Sequence, residues 1–294
     1  MNGVVVVDKP GGLTSHDVVS RARRIFQERS IGHLGTLDPM ATGVLPLVIG
    51  RMTRLAQFYT ASDKEYKGEI RLGFATTTYD AEGETVGPVC DPHIAMEEIE
   101  RAAAGFRGEI EQTPPPFSAK KSGGIPAYKL ARKQREVKLA PVKVRVYDFQ
   151  VGPLDANRLK FRARVSSGTY LRSIAHDLGA VLGVGGHISS LRRTAVGEFP
   201  IADACTLEEL QARAQKGTLS DALIHPRRLL PELPCVTANE ESAALIRNGR
   251  AVNLPELSRA RQVKVFFGQS ELIAIATRVA GTLFQPKVVL MGSD

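Results

Sequence analysis

Residues 32–46, Gly-His-Leu-Gly-Thr-Leu-Asp-Pro-Met-Ala-Thr-Gly-Val-Leu-Pro, present one carboxylate, Asp38, among glycines, prolines and small residues. Pro39 pushes Asp38 out of the helical region of backbone space. Gly32, Gly35 and Gly43 permit tight turns and close approach by a second molecule. The stretch holds no phosphate loop and no pair of metal ligands. An isolated acid on a shaped loop suits a nucleophile or a proton acceptor, so the chemistry falls to a side chain alone. The plainer reading is an Asp-Pro turn between a strand and a helix. The composition of the whole string is odd for a plain turn.

The rest of the chain narrows the chemistry. Its 294 residues allow one large domain or two unequal ones, and 43% hydrophobic with 24% charged residues is ordinary for a soluble globular protein. A net charge of +8 favours a polyanionic partner. No block of five or six like charges occurs, which points to a groove or patch rather than a basic tail. Cys90, Cys205 and Cys235 are far apart and form no Cys-x-x-Cys pair, so they read as reduced thiols in a cytoplasmic protein. The six histidines show no metal-ligand spacing. The four valines at 4–7 are too few for a signal-peptide core or a membrane span and read as a buried strand.

Periodicity supplies the elements that must position Asp38. A strand is expected over 3–7, followed by a turn at Asp8–Gly12. A capping box at Thr14-Ser15-His16-Asp17 opens a helix with Val18, Val19, Ala22, Ile25 and Phe26 at helical spacing. Strands are expected over 44–49, 67–72, 142–151 and 158–166, and helices over 93–106, 127–135 and from 168 to 182. Residues 76–83 read as a polar loop, Gly183–His187 as a helix break, and Thr113–Pro116 as neither helix nor central strand. Beyond a proline-punctuated connector at 225–235, a helix over 240–248 and strands over 262–267, 271–279 and 286–291 suit a small β domain. Irregular order with antiparallel hairpins argues α+β rather than a doubly wound sheet.

The 32–46 string resembles, nearly letter for letter, the Gly-His-x-Gly-x-Leu-Asp-Pro-x-Ala-Thr-Gly-x-Leu segment of the TruB family of tRNA pseudouridine synthases. Further segments resemble the same family. They are Asp8-Lys9-Pro10 with Thr14-Ser15, Lys64-x-Tyr66 with Leu72-Gly73, Pro115-Pro116-Phe117-Ser118-Ala119 with Lys121 and Gly124, Ser167–Arg172 with Asp177-Leu178-Gly179, and Leu191–Thr194 with Gly197. The matches run from about residue 3 to about 200. Phe117 stands where many members have tyrosine, and Gly123-Gly124 suggests a mobile thumb-like loop.

The resemblance implies a pseudouridine synthase fold, with a mixed and mostly antiparallel sheet flanked by helices. The catalytic domain is expected over 1–228, and the size and strand pattern of 229–294 suggest a PUA-like RNA-binding domain. The implied reaction is isomerisation of uridine 55 in the T-loop of tRNA, by base flipping and without cofactor or metal. Asp38, Tyr66 and Arg172 are the implied catalytic residues, with Arg172 orienting Asp38 and Tyr66 stacking on the base. His33 fills the space the flipped base leaves, Tyr170 and Leu191 line the pocket, and Lys121 contacts phosphates. The expected partner is the tRNA T-arm stem-loop, bound by a cytoplasmic monomer. A guide-RNA-dependent enzyme of the superfamily, an RNA-binding module without chemistry and a metal-dependent hydrolase are the competing readings.

Overall fold

Val4–Val7 are fully buried and lie in a strand, β1 (Gly3–Lys9), that runs two residues past the expected end. It continues because the buried Lys9 ammonium donates to the carbonyls of Pro10 (2.9 Å) and Leu13 (2.7 Å), which close the following turn. Helix α1 (Ser15–Ile25) starts with the expected capping box: the Thr14 hydroxyl accepts from the Asp17 amide, and the Asp17 carboxylate accepts from the Thr14 amide. Strand β2 (Ile31–His33) then pairs antiparallel with β3 (Thr42–Ile49), placing His33 opposite Leu47.

This computed structural model describes residues 1–118, 120–131, 133, 135, 137, 139–256 and 258–291. Ala119, Arg132 and Gln134, which fall within expected motif and helix segments, lie outside the described residues. The chain forms two units, one of Met1–Asp38, Val44–Thr60 and Gly197–Asp294, the other of Pro39–Gly43 and Ala61–Val196.

In the second unit, β4 (Lys64–Leu72), β5 (Gly108–Gln112), β6 (Val142–Asp155), β7 (Arg158–Val165) and β8 (Gly186–Val196) form an antiparallel array in the order β8-β4-β7-β6-β5. The first residues of β3 add a parallel pairing, Thr42 with Arg192 and Gly43 with Arg193, so the sheet is mixed as expected. Helix α2 (Met96–Ala104) packs against β6 and is shorter than the apolar spacing suggested. Helix α3 (Ala127–Ala131) follows a hairpin of Lys121–Ser122 with Ile125–Pro126, whose turn is Gly123-Gly124. Both glycines have positive φ (56° and 82°), the conformation a two-residue hairpin turn requires. Helix α4 (Leu171–Val181) packs against β8.

The helix breaks after Val181 as expected, and strand β8 begins at Gly186, inside the segment read only as a break. A Cβ at Gly179 would lie 2.2 Å from the Gly186 amide nitrogen, so glycine lets the helix and the returning strand touch. The sequence reading also missed α5 (Leu207–Lys216), although Thr206 and Glu209 form a complete capping box.

The C-terminal residues, part of the first unit, build their own five-stranded sheet. Its strands are β9 (Cys235–Ala238), β10 (Val252–Asn253), β11 (Gln262–Phe267), β12 (Glu271–Ala280) and β13 (Leu283–Val289), in the order β9-β11-β12-β13-β10. Val236, Val263, Val265, Ile273 and Phe284 share a core with Ile246 of α6 (Glu240–Arg247). The buried Lys264 ammonium donates to the carbonyls of Arg227 (3.0 Å) and Leu229 (2.6 Å), tying this sheet to the connector before it. Among the described residues no helix is long and apolar enough to cross a membrane.

Candidate active site

The loop before Asp38 is held from inside. Leu34 and Leu37 are buried, and the Leu34 amide donates to the Pro46 carbonyl at 2.9 Å. The buried Ser15 hydroxyl accepts from the Leu37 amide (2.8 Å) and donates to the Leu37 carbonyl (3.2 Å). Both backbone groups of the residue preceding Asp38 are therefore fixed by one side chain at the start of α1. Asp38 itself is half-buried, as are His33 and Tyr66. After the loop, Gly43 (φ 99°) is required by contact: a Cβ there would lie 2.2 Å from the Arg193 carbonyl oxygen.

Arg172 lies in the first turn of α4 and is 3% exposed. Its Nη1 donates to the Thr78 carbonyl and its Nη2 to the Phe117 carbonyl, each at 2.9 Å, and Nη1 stands 3.5 Å from the Asp80 carboxylate. Asp80 is also buried; it accepts from the Thr78 hydroxyl and from the Glu82 amide (3.1 Å). Thr76 donates to the Asp80 carbonyl at 2.7 Å. Asp80 is the buried partner of Arg172 that sequence reasoning missed, because its segment read as a polar loop. The Asp-x-x-Gly spacing to Gly83 signals a turn, and nothing in it announces a buried ion pair.

The start of α4 is gripped on its other side. The side chain of Gln112, at the end of β5, donates to the Tyr170 carbonyl (3.1 Å) and accepts from the Tyr170 amide (2.8 Å), while Ser173 donates to the Thr113 carbonyl (2.8 Å). One turn along α4, His176 stacks on Tyr79, ring centroids 3.7 Å apart and planes at 10°. Tyr79 has a positive φ of 63° and sits between Thr78 and Asp80, so the stack braces the two residues that hold Arg172. Burial lowers the His176 pKa and raises that of Tyr79, with Asp177 adding to the latter.

Tyr66 stands in the interior of β4, opposite Ala163 of β7 and Arg193 of β8. The strand begins at Lys64, earlier than expected, which takes Tyr66 away from a strand end. Lys64 is buried, its pKa pushed down to about 8 by burial and then by the Arg193 charge. Leu191 is largely buried on β8, and Lys121 is exposed on its hairpin. The structure thus brings Arg172, Tyr170, Tyr66 and Leu191 into one unit, with Tyr66 and Leu191 on adjacent strands. A cavity of about 740 Å³ in that unit has Leu191 and Met40 among its walls. Among the described residues no group of three or more His, Cys, Asp or Glu side chains is placed to hold a metal ion.

Residues 23–171 match the model of the TruB family pseudouridylate synthase (N terminal domain), and residues 172–230 match that of the tRNA pseudouridylate synthase B C-terminal domain. The tRNA pseudouridine synthase B of Solibacter usitatus (strain Ellin6076) is 48% identical over 99% of this chain and 100% of its own length. The chain belongs to the TruB family of pseudouridylate synthases. The tRNA pseudouridine synthase B of Mycobacterium avium (strain 104) is also 48% identical, over 85% of this chain and 81% of its own. Among solved structures, an H/ACA RNP bound to a substrate RNA containing 2′-deoxyuridine aligns with 99% of this chain and 86% of its own. The TM-score is 0.73 at 26% identity. A Cbf5-Nop10-Gar1 complex aligns over 99% and 85% with a TM-score of 0.72, also at 26% identity. The α+β architecture with a C-terminal β body is therefore the family's fold.

Proposed function

We propose that this TruB-family chain converts uridine 55 in the T-loop of tRNA to pseudouridine, acting as a cytoplasmic monomer on bare tRNA. The names of its relatives support tRNA as the substrate. The observation that carries the catalytic reading is the fixing of Arg172 by two carbonyls and a buried carboxylate. A guanidinium held this way loses little freedom when it meets an anion, and its planar fork suits a carboxylate. We assign that anion to Asp38, as the family resemblance implies.

The reaction breaks the N1–C1′ bond, turns the detached uracil, joins C5 to C1′ and releases the C5 proton. No atoms other than that exchanged proton enter or leave, so the steps call for an acid–base group and a surface that retains the free ring. Asp38 acts at the sugar or the ring, Tyr66 lies against the base, and Tyr170 and Leu191 enclose it. His33 occupies the place of the everted nucleotide and offsets part of the few kcal/mol that flipping costs. Lys121 meets phosphates, and residues 229–294 act as a PUA-like RNA-binding domain. The loop would be read by shape and splayed bases.

Purified chain incubated with a tRNA transcript tritiated at uridine C5 should release tritium and leave pseudouridine at position 55. Release that persists when position 55 is cytidine would contradict the site assignment. Dependence on an added guide RNA would favour the guided reading.

A further inference from the structure

Strand register sorts the side chains of the second unit's sheet onto two faces. Tyr66, Ala163 and Arg193 are directly opposed across β7, β4 and β8 and share one face. Lys67, the next residue, points to the other face. So do its direct partners, Arg162 on β7 and Arg192 on β8. Three cations therefore stand abreast on neighbouring strands about 4.8 Å apart. Like charges directly opposed destabilise a sheet.

Three other cations of this sheet are matched, whereas among the described residues Lys160 makes no ion pair and Arg71 donates to the Ala156 carbonyl. Arg158 pairs with Glu69 at 3.3 Å, Arg164 with Asp63 at 3.1 Å, and Lys143 with Glu109 at 3.4 Å. Among the described residues, Lys67 and Arg162 make no ion pair, and Arg192 donates to the Thr42 hydroxyl at 3.4 Å. The row lines the cavity of about 740 Å³, together with Lys160 and Gln150. Glu69, the one acid among the described lining residues, is the acid already held by Arg158. Phe161 also borders the cavity, but it opposes Gly68 and its ring sits against that glycine on the Tyr66 face. The trough therefore offers cations and amides without an aromatic stacking surface, in a volume suited to a nucleotide-sized ligand.

We propose that this trough is a phosphate-binding site on the sheet face opposite Tyr66, taking phosphates from an RNA strand or from a nucleoside polyphosphate. Bound phosphates relieve the repulsion along the row. Lys67 and Arg162, on the face away from Tyr66, carry no part of the chemistry assigned to Asp38.

The test uses the full chain with two probes, an adenosine hexanucleotide, which contains no uridine, and ATP. Binding is measured by anisotropy and calorimetry across a salt series for wild type, the Lys67→Gln/Arg162→Gln double variant, and Lys143→Gln as a control. Wild type should bind at least one probe, the control should match it, and the double variant should bind several-fold more weakly. For the hexanucleotide, its salt slope should fall by about 1.4, two single-strand phosphate contacts at about 0.7 each. Without ligand the double variant should melt no lower than wild type, because two like charges have gone. Loss confined to the hexanucleotide assigns the phosphates to an RNA strand, and loss confined to ATP assigns them to a nucleotide. Equal binding by wild type and double variant, or no binding by wild type, overturns the proposal.

Discussion

The start of α4 and the hairpin that carries Lys121 hold their cations in opposite ways. Arg172 is 3% exposed and is held by two carbonyls and the Asp80 carboxylate, beside the Gln112 grip on Tyr170 and the Tyr79–His176 stack. Lys121 is exposed on a hairpin of two residue pairs closed by Gly123-Gly124. The proposed function asks Arg172 to orient another charge, which a buried network suits, and asks Lys121 only to neutralise a phosphate, which an exposed hairpin suits.

The strongest way to break this contrast is to remove Asp80. Asp80→Ala leaves the Arg172 charge buried without its carboxylate and should cost about 3–5 kcal/mol of stability. Chemical denaturation would register the loss, and a wild-type midpoint would refute the buried network. Ser15→Ala should come next. It strips the Leu37 amide of its buried partner, at about 1–3 kcal/mol, and should lower kcat more than it raises KM, because the Asp38 loop loosens while RNA contacts persist. Lys121→Ala should leave stability within about 0.5 kcal/mol. It should raise KM for tRNA with kcat unchanged and reduce the salt slope of binding by about 0.7–0.9.

The smallest effect concerns acidity. Burial lowers the pKa of His176 and His187 in the folded chain, so the unfolded chain binds more protons below pH 6.5. Stability from these groups is complete above pH 6.5 and is lost as pH falls toward their folded values. His176→Phe keeps a ring against Tyr79 and should make the loss between pH 7 and 5 shallower. An unchanged slope would show that His176 does not titrate on unfolding.

What was legible in the sequence followed from local rules. Thr14 and Asp17 announce a helix start because the box is satisfied within four residues, and Asp38 stands out because Pro39 and the flanking glycines leave few other uses for its loop. Lys64–Leu72 and Arg158–Val165 alternate because one face is covered and the other wet. What escaped depends on residues far apart in the chain. Asp80 looks like one more polar residue until Arg172, 92 positions later, is folded against it. The glycines before β8 announce the break, but not how closely helix and strand approach at Gly179. Gln112 reads only as the residue before the Thr113–Pro116 run, yet its side-chain amide fixes the backbone at the start of α4.

Asp38→Asn, assayed by tritium release from C5-labelled tRNA alongside direct binding of the same RNA, tests the central claim most directly. The side chain stays nearly the same size and only the charge and its basicity go. Turnover should vanish while tRNA binding persists. Tritium release at the wild-type rate would contradict the assignment of Asp38 as the acid on which the chemistry turns.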